Sequence, residues 1–162
     1  GMNHWEPVGG VSISDSEHIE GNYSLRTSTF NQWGFVDQRL NAIENTTYHI
    51  SYWMKTSNVT GAGVRLTWLP RPNADGSQAI RVDFVPLEGI NETTGWSQYS
   101  ATIVSPPNTK ELVVGVTGGL PSARFADAWF CDITIRVSLT SPGTEISMSS
   151  LTQMLSDVPV SK

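Results

Sequence analysis

Only one cysteine, Cys131, occurs in the 162 residues, so neither an intrachain disulfide nor a cysteine-built zinc site can form. Long apolar runs are missing too. None approaches the roughly 20 consecutive residues of a membrane-spanning helix, and no membrane insertion is expected. Charged residues make up 15% of the chain, below the usual share of about a quarter. The net charge of −5 comes without any lysine or arginine cluster, which excludes nucleic acid as an expected partner. The three histidines, His4, His18 and His49, show no ligand spacing. No phosphate-cradling glycine loop is present, and Gly95-Trp96-Ser97-Gln98-Tyr99 lacks the last glycine of a nucleophile elbow. Asp83, Glu88, Asp127 and Asp132 are the carboxylates that a glycoside hydrolase or lyase would have to pair across a bond. Their spacing gives that reading no support, and no enzymatic activity is expected.

Hydroxyls and tryptophans are abundant by contrast. Serine and threonine number 35 and tryptophan six, a polar but weakly charged surface suited to neutral, hydroxylated partners. Apolar and polar residues alternate at period two through Tyr48 to Lys55, Val64 to Trp68 and Ile80 to Phe84. Similar stretches run over 23–28, 33–40, 98–104, 111–117 and 129–137. Turn residues separate them, as at Asp75-Gly76 and Pro106-Pro107-Asn108. About eight short strands with such punctuation predict an all-β, antiparallel β-sandwich or barrel.

The ends read differently. Gly1-Met2 resembles the scar of a cleaved tag, which leaves residues 3–138 as the sandwich module. Residues 139–162 then form a linker and a short C-terminal helical tail. Ser150-Leu151-Thr152-Gln153 fits a capping box, and Met148, Leu151 and Leu155 fit one helical stripe.

Alternation also assigns faces. With Tyr48, Ile50, Tyr52 and Met54 inward, the strand displays His49, Ser51, Trp53 and Lys55 to solvent. The next strands place Val64, Leu66 and Trp68 inward and Arg65 outward. They likewise place Ile80, Val82 and Phe84 inward, leaving Arg81 and Asp83 outward. Cys131 shares an apolar period with Trp129, Ile133 and Ile135 and reads as core. An exposed indole among arginine, aspartate and histidine is a candidate sugar platform: the ring supports a pyranose C–H face while the planar polar groups bond its hydroxyls. The expected ligand set is Trp53, Arg65, Arg81, Asp83, His49 and Tyr99, with Trp33 as the next platform.

Several segments, in order, carry a family likeness. They are Ser16 to Arg26 (with Gly21-Asn22-Tyr23-Ser24-Leu25), Leu40 to Lys55 (with Tyr48, Ser51, Trp53 and Lys55), Gly95 to Ser100 with Trp96, and Ala128-Trp129-Phe130-Cys131-Asp132-Ile133. Over residues 5–137 the chain resembles the jelly-roll carbohydrate-binding modules pooled as families 4, 9 and 22. The resemblance implies jelly-roll topology and a non-catalytic module for a polysaccharide or cell-surface glycan, extracellular and part of a longer multidomain protein. It also implies a structural Ca²⁺, carried here onto Glu6, the segment around Glu17, and Asp132. Cys131 stands where the family has a further aspartate. A phage tail or virion adhesion domain, virion-associated, is the alternative expectation on the same fold.

Overall fold

The structure, a computed structural model, describes residues 6–8, 10–14, 24–29, 35–118, 120–121, 126–138 and 145–150. Its strands in chain order are β1 (Glu6–Val8), β2 (Gly10–Ser14), β3 (Ser24–Thr29), β4 (Phe35–Asn41), β5 (Thr47–Ser57), β6 (Val59–Thr60), β7 (Ala62–Leu69), β8 (Arg81–Ile90), β9 (Thr94–Val104), β10 (Glu111–Thr117), β11 (Leu120–Pro121), β12 (Ala126–Ser138) and β13 (Glu145–Ser150). The first sheet has the order β1-β4-β10-β7-β8. The second has the order β2-β3-β12-β5-β9, with β13 also on β12. Neighbours are antiparallel throughout, as the period-two pattern requires. The expected all-β jelly-roll sandwich is the fold observed.

The inner faces meet in a core of alternate residues. β5 contributes Tyr48, Ile50, Tyr52 and Met54, and β7 contributes Val64, Leu66 and Trp68, as expected. Leu112, Val114 and Val116 of β10 close the layer from the first sheet. Each large side chain fully buried here is worth about 1.5–3 kcal/mol of transfer free energy. Trp68 is 0% exposed, with the Tyr48 ring edge-on at 5.1 Å.

Three expectations need correction. The parity of β8 is inverted: Val82 and Phe84 are 44% and 37% exposed, and Ile80 is exposed as well. They pair across to Thr67 and Arg65, on the outward side, whereas Asp83 pairs with Leu66 and Arg81 with Trp68, on the inward side. The reason is the buried indole. Trp68 Nε1 needs an acceptor and donates to Asp83 Oδ2 at 2.7 Å, a partner that an apolar residue could not supply. Arg81 then bonds the same carboxylate oxygen at 2.8 Å and reaches the Val104 carbonyl of β9 at 2.6 Å, clasping the two sheets at their edge.

The second correction concerns β12. Ile133 and Ile135 lie in the core as expected, with Ala128 and Phe130, but Trp129 and Cys131 are on the opposite side, where Cys131 is buried and pairs with Trp53. A bulge between Cys131 and Thr134, where Asp132 takes φ 53°, resets the alternation. The third concerns the tail. Met148 lies in a strand, not a helix, because β12 runs on past the end of β3. Its residues Thr134 to Ser138 there present a ladder edge that β13 completes. Residues 151–162 lie outside the described residues.

Candidate functional site

The sandwich has two outward faces, and the expected ligand set is divided between them and the interior. Trp53 and His49 lie on the outer face of the second sheet, both half-buried. Arg65 lies on the outer face of the first sheet and is exposed. Asp83 and Arg81 form the inter-sheet clasp. Tyr99 turns inward, its ring stacked on Tyr52 at 5.5 Å. Trp33, Glu17 and the side chain of Glu6 lie outside what is described. The structure therefore does not bring the set together on one face. Asp132 lies at the β12 bulge on the outward face of the second sheet. Among the described residues, no group of three histidine, cysteine, aspartate or glutamate side chains could hold a metal ion.

The outer face of the first sheet is buried along its middle. Outward positions of a central strand in a solvated sheet are normally wet. Here Thr67 of β7 and Thr117 of β10 point outward yet are only 6% and 7% exposed, and Gly115 between them in β10 is buried. The walls come from the neighbouring strands. The register places Asp37 of β4, Gly115 of β10, Arg65 of β7 and Phe84 of β8 on one cross-strand row, and Arg39, Val113, Thr67 and Val82 on the next. Longer side chains thus stand on both sides of a floor built from glycine and threonine.

Gly115 makes that floor possible. A Cβ there would collide with Asp37 Oδ1, so the missing side chain is what lets the carboxylate lean over the central strand. The 70–80 connection closes one end. Its Ala74 and Ala79 pack on Leu69 and Val113. Asp75 caps the short turn at 76–78 by accepting from Ser77 N at 2.8 Å, which holds its carboxyl below the usual range. Glu111 is fixed at the same end by Arg39 at 2.6 Å and by the Asn73 amide. Arg65 is different: its guanidinium makes no hydrogen bond or ion pair among the described residues. Beside this buried strip stand the exposed Phe84 ring and the Arg65 guanidinium, side by side across β8 and β7. Together they offer stacking and planar hydrogen bonding.

Sequence reasoning found Arg65 and missed Phe84, Asp37 and Gly115. The demand of a buried Trp68 for a nearby acceptor was the available signal for the reversed strand.

The sequence matches the model of a family described as "Carbohydrate binding domain", CBM_4_9, over residues 1–124. Among solved structures it is similar to a protein titled "CBM4 structure and function" (14% identity, TM-score 0.59, 85% of this chain and 97% of that one). It is also similar to the CBM22-1 xylan-binding domain from Paenibacillus barcinonensis Xyn10C (16% identity, TM-score 0.59, 83% and 85%). A third is the Family 16 Carbohydrate Binding Module-2 (19% identity, TM-score 0.55, 83% and 92%). At these identities the likeness shows the fold. No curated protein matches.

Proposed function

Since the chain belongs to the Carbohydrate binding domain family, CBM_4_9, we propose that it binds a polysaccharide chain on the outer face of the first sheet. The observation that carries this reading is the cross-strand pair Arg65–Phe84, which sets an exposed aromatic ring beside a guanidinium that engages no described residue. A pyranose resting its C–H face on Phe84 turns its equatorial hydroxyls toward Arg65. That combination of apolar platform and planar polar group suits a neutral or weakly charged glycan.

The role we propose is non-catalytic. Of the two carboxylates on this face, Glu111 is locked to Arg39 and to the Asn73 amide, so it is not poised to shuttle a proton. One stacked aromatic contributes about 0.5–1.5 kcal/mol beyond burial, so affinity at a single site is modest. Attachment to a longer extracellular protein that holds the module near its polysaccharide would raise it by effective concentration.

Affinity electrophoresis in gels containing xylan, β-glucan, galactan or galactomannan tests this. Phe84→Ala and Arg65→Ala are each expected to weaken retention by about tenfold, equivalent to ~1.4 kcal/mol. Both side chains are exposed, so the free energy of unfolding should stay within about 0.5 kcal/mol of the parent. Retention unchanged in the double variant would remove this face from consideration.

A further inference from the structure

We propose that the chain forms a two-fold symmetric dimer by antiparallel pairing of β9 with β9 of a second copy, which joins the two second sheets into one. Sheet edges invite strand addition unless they are short, charged, bulged or interrupted by proline. The edges of the first sheet are guarded in these ways. β1 is three residues long and includes Pro7, and β8 holds Arg81, Asp83, Pro86 and Glu88 with a bulge opposite Ala62–Val64. β2, at the far edge of the second sheet, has only five residues. β9 is different. It runs for 11 residues without a charge or a proline, and among the described residues it pairs only with β5.

Backbone direction selects the register. Ser105 turns its N–H and C=O toward the 45–46 turn. By alternation, the groups of Val104, Thr102, Ser100 and Gln98 point away from β5. Arg81 occupies the Val104 carbonyl, which leaves Gln98, Ser100 and Thr102 as three successive open positions. A two-fold axis at Ser100 sets it against the partner's Ser100, and Gln98 against the partner's Thr102, so all three are matched. The bulge in β9 lies between Thr94 and Ser97, outside this stretch. Because the strand is uncharged, self-pairing opposes no like charges. Charge beyond its ends is complementary: Arg81, shared with Asp83, stands by Val104, and the exposed Glu92 precedes Thr94. Antiparallel pairing turns each Arg81 toward the partner's Glu92. Tyr99, Ala101 and Ile103 are only partly buried where the core reaches this edge, and the second copy extends the layer over them. Such an isologous contact closes on itself. Its axis is perpendicular to the joined sheet, so the outer faces of both first sheets look the same way and meet one polysaccharide surface together.

Sedimentation equilibrium of the whole chain, from micromolar to submillimolar concentration, tests this. The mass is expected to rise from one chain of 17.7 kDa to two and no further. Ser100→Lys, which sets two like charges across the axis, should weaken the dimer about fivefold. Ser100→Pro, which removes an N–H facing away from β5 in each copy, should weaken it about tenfold or more. Cross-linking by oxidised glutathione fixes the register. Ser100→Cys should form a disulfide-linked dimer, because directly opposed Cα atoms of a bonded pair stand about 5.5 Å apart. Thr102→Cys, about 14 Å from its own copy, should not. Circular dichroism melts matching the parent show that each variant folds; if Ser100→Pro does not, Ser100→Lys and the cysteine pair carry the test. A chain monomeric throughout, a mass that climbs past two chains, a dimer indifferent to the Ser100 substitutions, or cross-linking no greater at 100 than at 102 overturns the proposal.

Discussion

Replacing Trp68 with alanine is expected to lower the free energy of unfolding by about 3–5 kcal/mol, the range for deleting a large aromatic from a packed core. Trp68 is fully buried, meets Tyr48 edge-on, and anchors Asp83 through its indole N–H. The loss therefore has two parts. The cavity accounts for most of it. The remainder comes from the clasp: without the indole, Asp83 keeps only Arg81 as a side-chain partner among the described residues, and Arg81 is the residue that reaches β9 across the sandwich edge. Trp68→Phe separates the parts, because it refills most of the cavity but cannot donate. It should cost about 1–3 kcal/mol. Urea denaturation followed by circular dichroism measures both. With total stability of about 5–15 kcal/mol in domains of this kind, the alanine variant should melt about 10 °C or more below the parent. A shift under 1 kcal/mol would mean that the indole is not the keystone of this edge.

The same residue shows where the sequence was readable and where it was not. The alternation in β5 and β7 named the core correctly because both strands are central in their sheets and one face of each meets the other layer. Alternation failed in β8, an edge strand, where satisfying one buried N–H outweighed the burial of Val82 and Phe84. It failed again at Trp129, because a bulge adds one residue and no local pattern announces it. Trp129 instead lies on the outer face between the Arg26 and Lys55 cations, 5.6 and 5.4 Å from its ring centre. The candidate site on the first sheet was illegible for another reason. Its row Asp37–Gly115–Arg65–Phe84 runs across strands, and its members are distant in sequence and are joined only by register. A sequence shows the period along a strand; it does not show which residue stands beside which.

The steepest response to solution conditions should come at high pH, from tyrosines buried in the core. Burial, with a smaller contribution from the neighbouring Tyr99, pushes the Tyr52 phenol far above its ordinary value near 10; burial raises Tyr48 as well, partly opposed by the Ile43 amide that donates to its oxygen. Tyr52 stays protonated in the folded chain while the unfolded chain ionises. Its stabilisation is therefore complete below pH 10 and is lost as pH rises above it, by about 1.4 kcal/mol per pH unit, or about 2.7 kcal/mol by pH 12; Tyr48 adds to the loss in the same direction. Tyr52→Phe isolates that share. At neutral pH the variant should be less stable by about 1–3 kcal/mol, because the Val85 carbonyl loses its hydroxyl donor. It has no phenol to ionise at this position, so its stability should fall less steeply with pH, and the two curves should converge near pH 12. Urea midpoints taken at intervals from pH 8 to 12 give both slopes. Parallel curves across that window would mean that the Tyr52 phenol ionises as readily folded as unfolded, which is incompatible with its place between the sheets.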